Sequence, residues 1–390
     1  MIVYMLFHIK SYVFGENELY ECITRIIVPF ILCLILLNFG KNSIDNAIYL
    51  TKSFAIFLVI SLLFSFVGII YFGEYISLRY SLYGRYYDTL IGNNISQPSH
   101  LLLAGLSSAS YLFGYQVAGG TTLFICLFFI DSGYWRVLWG ISLLLALIVL
   151  VYTAERATVP AIFAGISIFV LYSFRDKKIL KKIISFSFII IFFCIITVFL
   201  QFLFNDFKTL GTFKKIYQRH ISGKTIFERF TQSDIYTRLE MQEACLEIAL
   251  ENPQGLFFKG MKEESWGRLA TAKGYNVVPD EKGEYALVHN GYLRIIMYFG
   301  WVIGLLIFYV FLSIIDKIRY LNFANNQIIA RYGKGITSTF VTLSTHALFH
   351  NDSLFTIERT TWVAFILIFV WYRLARLDND HLIARQVNII

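Results

Sequence analysis

The chain has 390 residues, of which 57% are apolar and only 15% are charged. This composition excludes an ordinary soluble domain and a disordered chain, and it is typical of a polytopic membrane protein. The net charge of +8 is concentrated in short basic segments between apolar runs, so it indicates membrane topology and not a nucleic-acid partner.

Runs of apolar residues long enough for a membrane helix recur along the chain, since a helix needs roughly 20 such residues to cross the hydrocarbon. Two weaker runs are Ser99–Ile130, which contains three interrupting glycines, and Gly335–His350. We predict an all-α, polytopic integral membrane protein with about 10 transmembrane helices, between roughly 9 and 11. The clear candidates, in chain order, are Cys22–Phe39, Phe54–Phe72, Trp135–Tyr152, Val159–Phe174, Ile183–Phe204, Gly291–Ile315 and Thr361–Leu374.

One polar segment, Asn205–Val288, interrupts this pattern with 12 Lys and Arg and 12 Asp and Glu residues. A capping pattern at Thr231–Asp234 predicts the start of a helix, and Asn252-Pro253 predicts its end. The remainder reads as loop with short helices, so the segment is a side wall on a membrane domain and not an independent fold. The chain therefore divides into N-terminal membrane helices (1–204), a large external loop (205–288) and C-terminal membrane helices with a cytoplasmic tail (289–390).

The distribution of Lys and Arg predicts the orientation of the chain. Basic residues cluster at 175–182, at Lys317–Lys334 and after Arg373, and the positive-inside rule assigns all three clusters to the cytoplasm. The polar segment then lies outside and the C-terminus inside. The segment Gly73–Pro98 is outside if Ser99–Ile130 is one span and inside if it is two; Lys41 and Lys52 favour the first arrangement.

Three external arginines, Arg85, Arg156 and Arg238, are the first candidate site residues, because short external loops are usually poor in arginine. Guanidinium groups bind phosphate oxygens in a bidentate manner, so the set suits a diphosphate. Each has a simpler explanation. Arg156 could pair with Glu155 or reach lipid headgroups, Arg238 could make surface contacts on its own helix, and Arg85 has Arg79 as a rival in the same loop.

His289 and Asn290 precede the apolar run that follows the polar segment, and His350 belongs to a second external polar cluster with His346. A histidine titrates near neutral pH and can act as a general base for a hydroxyl group. The alternative is that His289-Asn290 is a helix cap at the membrane interface and that the second cluster only caps a helix end.

Neither the cysteines nor the acidic residues form a metal-binding pattern. The five cysteines lie in or beside spans, except Cys245, and read as small buried hydrophobic residues. Asp378-Asn-Asp380 resembles a metal-binding pair but falls in the predicted cytoplasmic tail, on the opposite side from the polar segment. We therefore expect neither a metal nor another cofactor.

Taken in order, these residues resemble the O-antigen polymerase (Wzy-type) and O-antigen ligase superfamily of bacterial inner-membrane glycosyltransferases, over roughly Tyr71–Leu374. Glu155 stands where the family has serine. The matching features are an arginine-containing external loop from Arg85 to Pro98, Thr153–Arg156, Arg238-Leu239 with the helix stop Asn252–Gly255, and His289-Asn290 before Gly300–Gly304.

The resemblance implies a metal-independent, inverting glycosyltransferase of lipopolysaccharide or other polysaccharide biosynthesis, with its active face in the periplasm. Its donor would be an undecaprenyl-diphosphate-linked oligosaccharide. Arg156 and Arg238, with Arg85, would bind the diphosphate, and His289 would deprotonate the acceptor; Asn290 and His350 would contact substrate. The implied partners are this lipid-linked oligosaccharide, membrane lipids and a polysaccharide chain-length regulator.

Two further functions stay open. A ligase would transfer the glycan to lipid A-core instead of extending it, and one sequence does not separate ligase from polymerase, although we favour the polymerase. A transporter or flippase of lipid-linked oligosaccharides should show mid-span charges or repeated halves with broken helices. The clear spans have few such charges and no matching halves, so the enzyme is favoured.

Overall fold

The computed structural model describes residues 43–71, 110–153, 157–174, 176–183, 234–256, 265–275, 290–322, 324–349 and 359–387, with a few isolated positions outside these ranges. Over them the chain forms helices and no strands, which confirms the predicted all-α class. A short further helix occupies 177–183. The longer helices are α1 (Ile44–Ile70), α2 (Ser110–Ile130), α3 (Gly133–Thr153), α4 (Thr158–Ser173), α5 (Asp234–Glu251), α6 (Ser265–Ala272), α7 (Gly291–Asn322), α8 (Gln327–Leu348) and α9 (Arg359–Val387).

Helices occur at each apolar run that the described residues cover, but several bounds differ from the prediction. Glycines do not interrupt α2, which is one continuous helix from Ser110 to Ile130. Helix α9 continues past Leu374 to Val387, so Asp378-Asn-Asp380 is helical rather than part of an extended tail. Two predicted spans, Cys22–Phe39 and Ile183–Phe204, fall almost entirely outside the described residues, so the total of about ten stays a prediction.

The bundle has the polarity of a membrane protein. Apolar side chains cover its outer surface, with Phe163 74% and Val302 82% exposed, while Thr51, Thr122 and His346 are completely buried. Water would disfavour so much exposed apolar surface, whereas lipid tails accept it. Four helices within the described ranges are long and apolar enough to cross a membrane: Ile44–Gly68, Phe113–Ile130, Gly133–Leu150 and Thr360–Asn379.

Polar contacts between helices define two ends of the bundle. At one end, Asp131 accepts hydrogen bonds from Tyr332 and Trp139 and pairs with Lys52 at 3.3 Å. Arg331 bonds Asp176 at 2.7 Å at the same end. We call this the basic end, because it carries the described parts of the three basic clusters. Thr158 and His346 mark the opposite end, where their side chains approach to 3.4 Å.

Helix α7 is a helical hairpin and not the single span predicted for Gly291–Ile315. Its backbone leaves helical geometry at Gly300, where φ is 81° and ψ is 170°. The ring centroids of Tyr292 and Phe308 are 5.8 Å apart, although sixteen residues of straight helix would separate them by about 24 Å. Gly304 likewise lies against Ile296. The segment before Gly300 therefore folds back along the segment after it.

The loop that ends α5 creates this reversal. In a straight helix the Trp301 N–H would donate to the Met297 carbonyl. Instead it donates to Pro253 at 2.9 Å, while the Met297 carbonyl accepts from the Leu256 N–H at 3.0 Å. Both backbone groups thus keep a partner, supplied by the loop after α5. The predicted helix stop at Asn252-Pro253 is confirmed. The loop that begins there interrupts the hydrogen bonding of α7 and so breaks that helix.

Two glycines face each other at the reversal. A Cβ on Gly300 would lie 2.4 Å from the Gln254 carbonyl carbon, and one on Gly255 would lie 2.3 Å from the Gly300 nitrogen. Both also have positive φ, 81° and 89°, a conformation that costs other residues roughly 1–2 kcal/mol. No side chain fits between the two backbones.

Gly300→Ala and Gly255→Ala should therefore each destabilise the protein more than Gly274→Ala, which is the matched control. Gly274 also has a positive φ, of 90°, but nothing lies within 4 Å of its Cβ position, so it bears only the conformational cost. We expect the first two variants to lose roughly a further 1–3 kcal/mol through overpacking. Thermal melting in detergent measures the difference. Equal melting temperatures for all three variants would contradict the close backbone contact between Gly255 and Gly300.

Candidate functional site

The first half of α7 brings a capped helix N-terminus into the protein interior. The Asn290 side chain accepts hydrogen bonds from the N–H groups of Tyr292 and Leu293, each at 3.1 Å. This satisfies two of the backbone donors that a helix leaves free at its start. Because α7 turns back only at Gly300, Asn290 lies about 15 Å below the turn, two residues before Tyr292, whose ring packs against Phe308. The positive end of this half-helix dipole is therefore inside the bundle.

The last turns of α8 contact two of the chain segments that carry predicted site residues. The Tyr292 hydroxyl, two residues after Asn290, donates to the Ser344 carbonyl at 3.0 Å. Two residues further along α8, His346 lies 3.4 Å from Thr158, which is two residues after Arg156 in the sequence. The start of α7 and the start of α4 thus flank the same stretch of α8.

His346 is buried among aromatic and hydroxyl groups. Its ring lies 4.1 Å from that of Tyr115, centroid to centroid, and its Nε2 atom faces the Thr158 hydroxyl. One helical turn deeper, the Thr122 and Thr342 hydroxyls are bonded at 2.8 Å. These contacts fix α2, α4 and α8 against one another at the start of α4.

Helix α5 runs alongside the first half of α7 in the same direction. The Cys245 sulfur contacts the Met297 sulfur, and the Ala249 carbonyl accepts a hydrogen bond from the Trp301 indole. In both contacts the two partners are 52 residues apart in the sequence, and a constant separation means that the helices run in the same direction. If the same separation of 52 residues holds toward the start of both helices, the backbone of Arg238 lies at the same height along the helix pair as Asn290. Two predicted site positions far apart in sequence therefore share one level of the fold.

The described part of the chain includes the predicted site only in part. Asn290 is described in full, and it caps α7 as the simpler alternative anticipated. Arg238 is described as a backbone position on α5. The other predicted site residues, namely Arg85, Arg156, His289 and His350, lie outside the described residues, so their roles stay predictions.

Arg294, which was not among the predicted site residues, and His346, which was predicted only as a member of the cluster with His350, both lie in this region. Arg294 is 7% exposed in the first half of α7, with its guanidinium 5.9 Å from the Tyr298 ring. Its position in the sequence, three residues after the start of a predicted span, could have identified it, because an ionisable residue inside a span usually has a function. His346 was grouped with His350, but helical periodicity did not show which of them faces the interior.

Ion pairs hold α5 and α6 together outside the bundle. Lys273 pairs with Glu247 at 2.9 Å and also with Glu251, and the Tyr275 hydroxyl donates to Glu247 at 2.7 Å. The hydrogen bond to Glu247 raises the pKa of Tyr275 to about 12, so the phenol stays protonated. Cys245 is completely buried, as predicted, and burial raises the pKa of its thiol to about 12. The described parts of the polar segment, α5 and α6, share one hydrophobic core with the first half of α7.

Fold and site together define a helical membrane protein in which a polar segment breaks one helix and packs against it. Residues 141–309 match the family model described as Wzy_C, O-Antigen ligase. This confirms the resemblance to the O-antigen ligase and polymerase superfamily, whose members are glycosyltransferase-like enzymes that use lipid-linked saccharides. No curated protein and no solved structure matched the chain. The matched range contains Arg156, Arg238, His289 and Asn290.

Asn290→Ala should lower activity beyond its effect on stability, and Asn326→Ala provides a matched control. Asn326 caps α8 at the basic end, where its side chain likewise accepts two backbone N–H bonds. Each substitution removes a cap and should cost about 1 kcal/mol, measured as a lower melting temperature.

Only Asn290→Ala should reduce surface-glycan assembly in cells, because only that cap lies at the end opposite the basic residues. Asn290→Asp keeps an acceptor oxygen and should restore the melting temperature. If Asn326→Ala reduced glycan assembly equally, the loss would reflect stability alone.

Proposed function

We propose that this protein polymerises undecaprenyl-diphosphate-linked oligosaccharide repeat units into O-antigen or a related surface polysaccharide. The reaction takes place at the periplasmic face of the bacterial inner membrane. The polymer grows by metal-independent, inverting transfer of the growing glycan to another lipid-linked unit. The match to an O-antigen ligase domain supports the general class of reaction.

The observation that carries this proposal is the broken helix α7. Its capped N-terminus directs a partial positive charge into the interior, at the level of Ser344 and of the Arg238 backbone. Helix N-termini attract phosphate groups through this dipole. Buried Arg294 adds a full positive charge to the same half-helix. Such a region suits a diphosphate leaving group.

In the proposed reaction, Arg156 and Arg238, with Arg85, bind the diphosphate of the donor and stabilise the charge that it gains. His289 accepts the proton of the acceptor hydroxyl. The acceptor oxygen forms a bond to the anomeric carbon as the bond from that carbon to the phosphate oxygen breaks. The electron pair leaves with undecaprenyl diphosphate, and the configuration at the anomeric carbon inverts. Asn290 and His350 contact the substrate, and no metal takes part.

The orientation of the bundle agrees with a periplasmic site. The basic end carries Lys52, Arg136, Lys182 and Arg331, and the positive-inside rule assigns it to the cytoplasm. The candidate site and the polar segment are at the other end, where lipid-linked repeat units are exposed after they have been flipped. The C-terminal part of α9 is then cytoplasmic, and a chain-length regulator would act beside the bundle.

An O-antigen ligase is the second candidate, and the match to the family model supports it as well as it supports the polymerase. The two activities share donor and chemistry and differ in the acceptor, which for a ligase is lipid A-core. A flippase would also accommodate one broken helix, but it would not need a general base beside the site.

The test is a lipopolysaccharide gel from a strain that lacks this gene, complemented with wild type, His289→Ala, Arg156→Ala or Arg268→Ala. Arg268 is an exposed arginine on α6 and serves as the matched control. In the deletion strain we expect lipid A-core that bears a single repeat unit. Wild type and Arg268→Ala, but neither site variant, should restore the ladder of polymerised O-antigen on the gel. The two site variants should lose at least about 100-fold in activity, as the loss of a general base or charge stabiliser does.

Other patterns would contradict specific parts of the proposal. Bare core with polymer retained on the lipid carrier would identify a ligase. Full rescue by His289→Ala and Arg156→Ala would refute the site. Loss of periplasmic lipid-linked repeat units in the deletion strain would indicate a flippase.

A further inference from the structure

The basic end of the bundle contains a buried cation that the chemistry proposed above does not use. Lys334, on the second turn of α8, is only 4% exposed. Its ammonium group makes neither a hydrogen bond nor a salt bridge with any residue that the structure describes; its nearest charged neighbours there are Asp176 and Arg331. A buried charge without a partner is costly, so a lysine in this setting calls for an anion.

The surroundings of Lys334 carry an excess of positive charge. Arg331 lies one turn away and pairs with Asp176. Lys182, on the helix at 177–183, donates to the Phe129 carbonyl at 3.0 Å, and Arg136 donates to the Asp131 carbonyl. Asp131 itself is already paired with Lys52. Among the described residues, Asp176 is therefore the carboxylate that Arg331, Lys334 and Lys182 share.

The titration behaviour of the two groups at the rim agrees with this excess. Burial, and then the nearby Arg136 and Arg331, lower the pKa of Lys182. Burial opposes ionisation of Asp176, but hydrogen bonds from Arg331 and from the Ile179 N–H hold its pKa below the usual value. Asp176 is thus ionised and hydrogen-bonded to Arg331, so Lys334 feels its charge only at a distance and shares it with Arg331.

A second buried polar atom lies at the same level. Ser173, the last residue of α4, is completely buried, and its hydroxyl has no hydrogen-bond partner among the described residues. Helices α4 and α8 are antiparallel, since Thr158 meets His346 at one end and Asp176 meets Arg331 at the other. With the two helices aligned by these contacts, Ser173 lies at the same height along the helix pair as Lys334. An unbonded hydroxyl and an unpaired ammonium therefore lie at neighbouring levels of the same helix pair.

We propose that this part of the basic end, formed by Ser173, Lys182, Arg331 and Lys334, binds the phosphate group of an anionic phospholipid from the cytoplasmic leaflet. Lys334 forms the floor of the site, above the enclosed Ser173 hydroxyl, and the partly exposed Arg331 and Lys182 form its rim. A phosphate oxygen supplies the charge-assisted hydrogen bond that Lys334 lacks. Basic pockets between helices on the cytoplasmic side are suited to such headgroups.

The apolar surface beside the site favours a lipid over free phosphate. Leu171 and Phe174, in the last turn of α4 and directly after it, are 59% and 57% exposed. They flank Ser173 in sequence and offer a surface for an acyl chain, while exposed Lys177 and Lys178 extend the positive charge outward. A phospholipid would contact the basic groups through its phosphate and the apolar side chains through its acyl chains, whereas inorganic phosphate would contact only the basic groups.

The test is thermal melting of the full-length, delipidated protein in neutral detergent. Phosphatidylglycerol should raise the melting temperature of the wild type, and phosphatidylcholine with the same acyl chains should not. Lys334→Gln should abolish this shift without lowering the lipid-free melting temperature, because it removes an unpaired buried charge. Lys177→Gln removes one exposed charge from the same region and should keep the shift.

A phosphatidylglycerol titration should show binding weakened at least about 10-fold by Lys334→Gln, as expected for a lost charge-assisted bond, and less than about 2-fold by Lys177→Gln. Equal losses in both variants would mean diffuse surface attraction and would overturn the proposal. An equal shift with sodium phosphate at the same concentration would overturn the assignment to a lipid. Native mass spectrometry of the wild type gives an answer independent of any variant: one retained phosphatidylglycerol is expected, and none would contradict the site.

Discussion

The close contact between Gly255 and Gly300 is the constraint on which the arrangement of this protein depends. Because neither residue has a Cβ atom, the loop after α5 reaches the backbone of α7 and takes over two of its hydrogen bonds. The helix can then reverse without leaving buried backbone groups unbonded, which a membrane protein tolerates poorly. The same contact attaches the polar segment to the bundle, so one packing event joins the two parts of the chain that the proposed chemistry requires.

The reversal of α7 also explains how polar groups reach the interior of an apolar bundle. A straight helix would have carried Asn290 away from the other helices, beyond the end of α8. Folding back returns it to the level of Ser344, two residues before His346, with Arg294 buried in the same half-helix. Charge is expensive in this environment unless it is surrounded by protein dipoles and hydrogen-bond partners. The half-helix provides both, and its dipole favours an anion at the capped end.

The two ends of the bundle differ in what they can bind, although both present positive charge. At the end opposite the basic residues, the positive potential comes from the N-terminus of α7 and from Arg294, and α5 packs against the same half-helix. At the basic end it comes from lysines and arginines around the ends of α2 and α4. The first region suits a reacting diphosphate, and the second suits a headgroup that remains in place and fixes the bundle in its leaflet.

Sequence alone determined the features that follow from local chemistry and periodicity. Long apolar runs can satisfy their backbone in lipid only as helices, so the all-α membrane class followed directly. The capping pattern and the stop at Pro253 predicted α5. The order of Arg156, Arg238 and His289-Asn290 predicted the resemblance to the O-antigen ligase and polymerase superfamily that the match at 141–309 supports.

The tertiary structure decided what depends on contacts between distant residues. An apolar run from Gly291 to Ile315 has the same composition whether it is straight or folded on itself, and only the partner loop at Pro253–Leu256 selects the hairpin. The burial of His346 and the unpaired charge of Lys334 likewise depend on which helices lie beside α8, because hydrophobic periodicity encodes the face of a helix but not its neighbour.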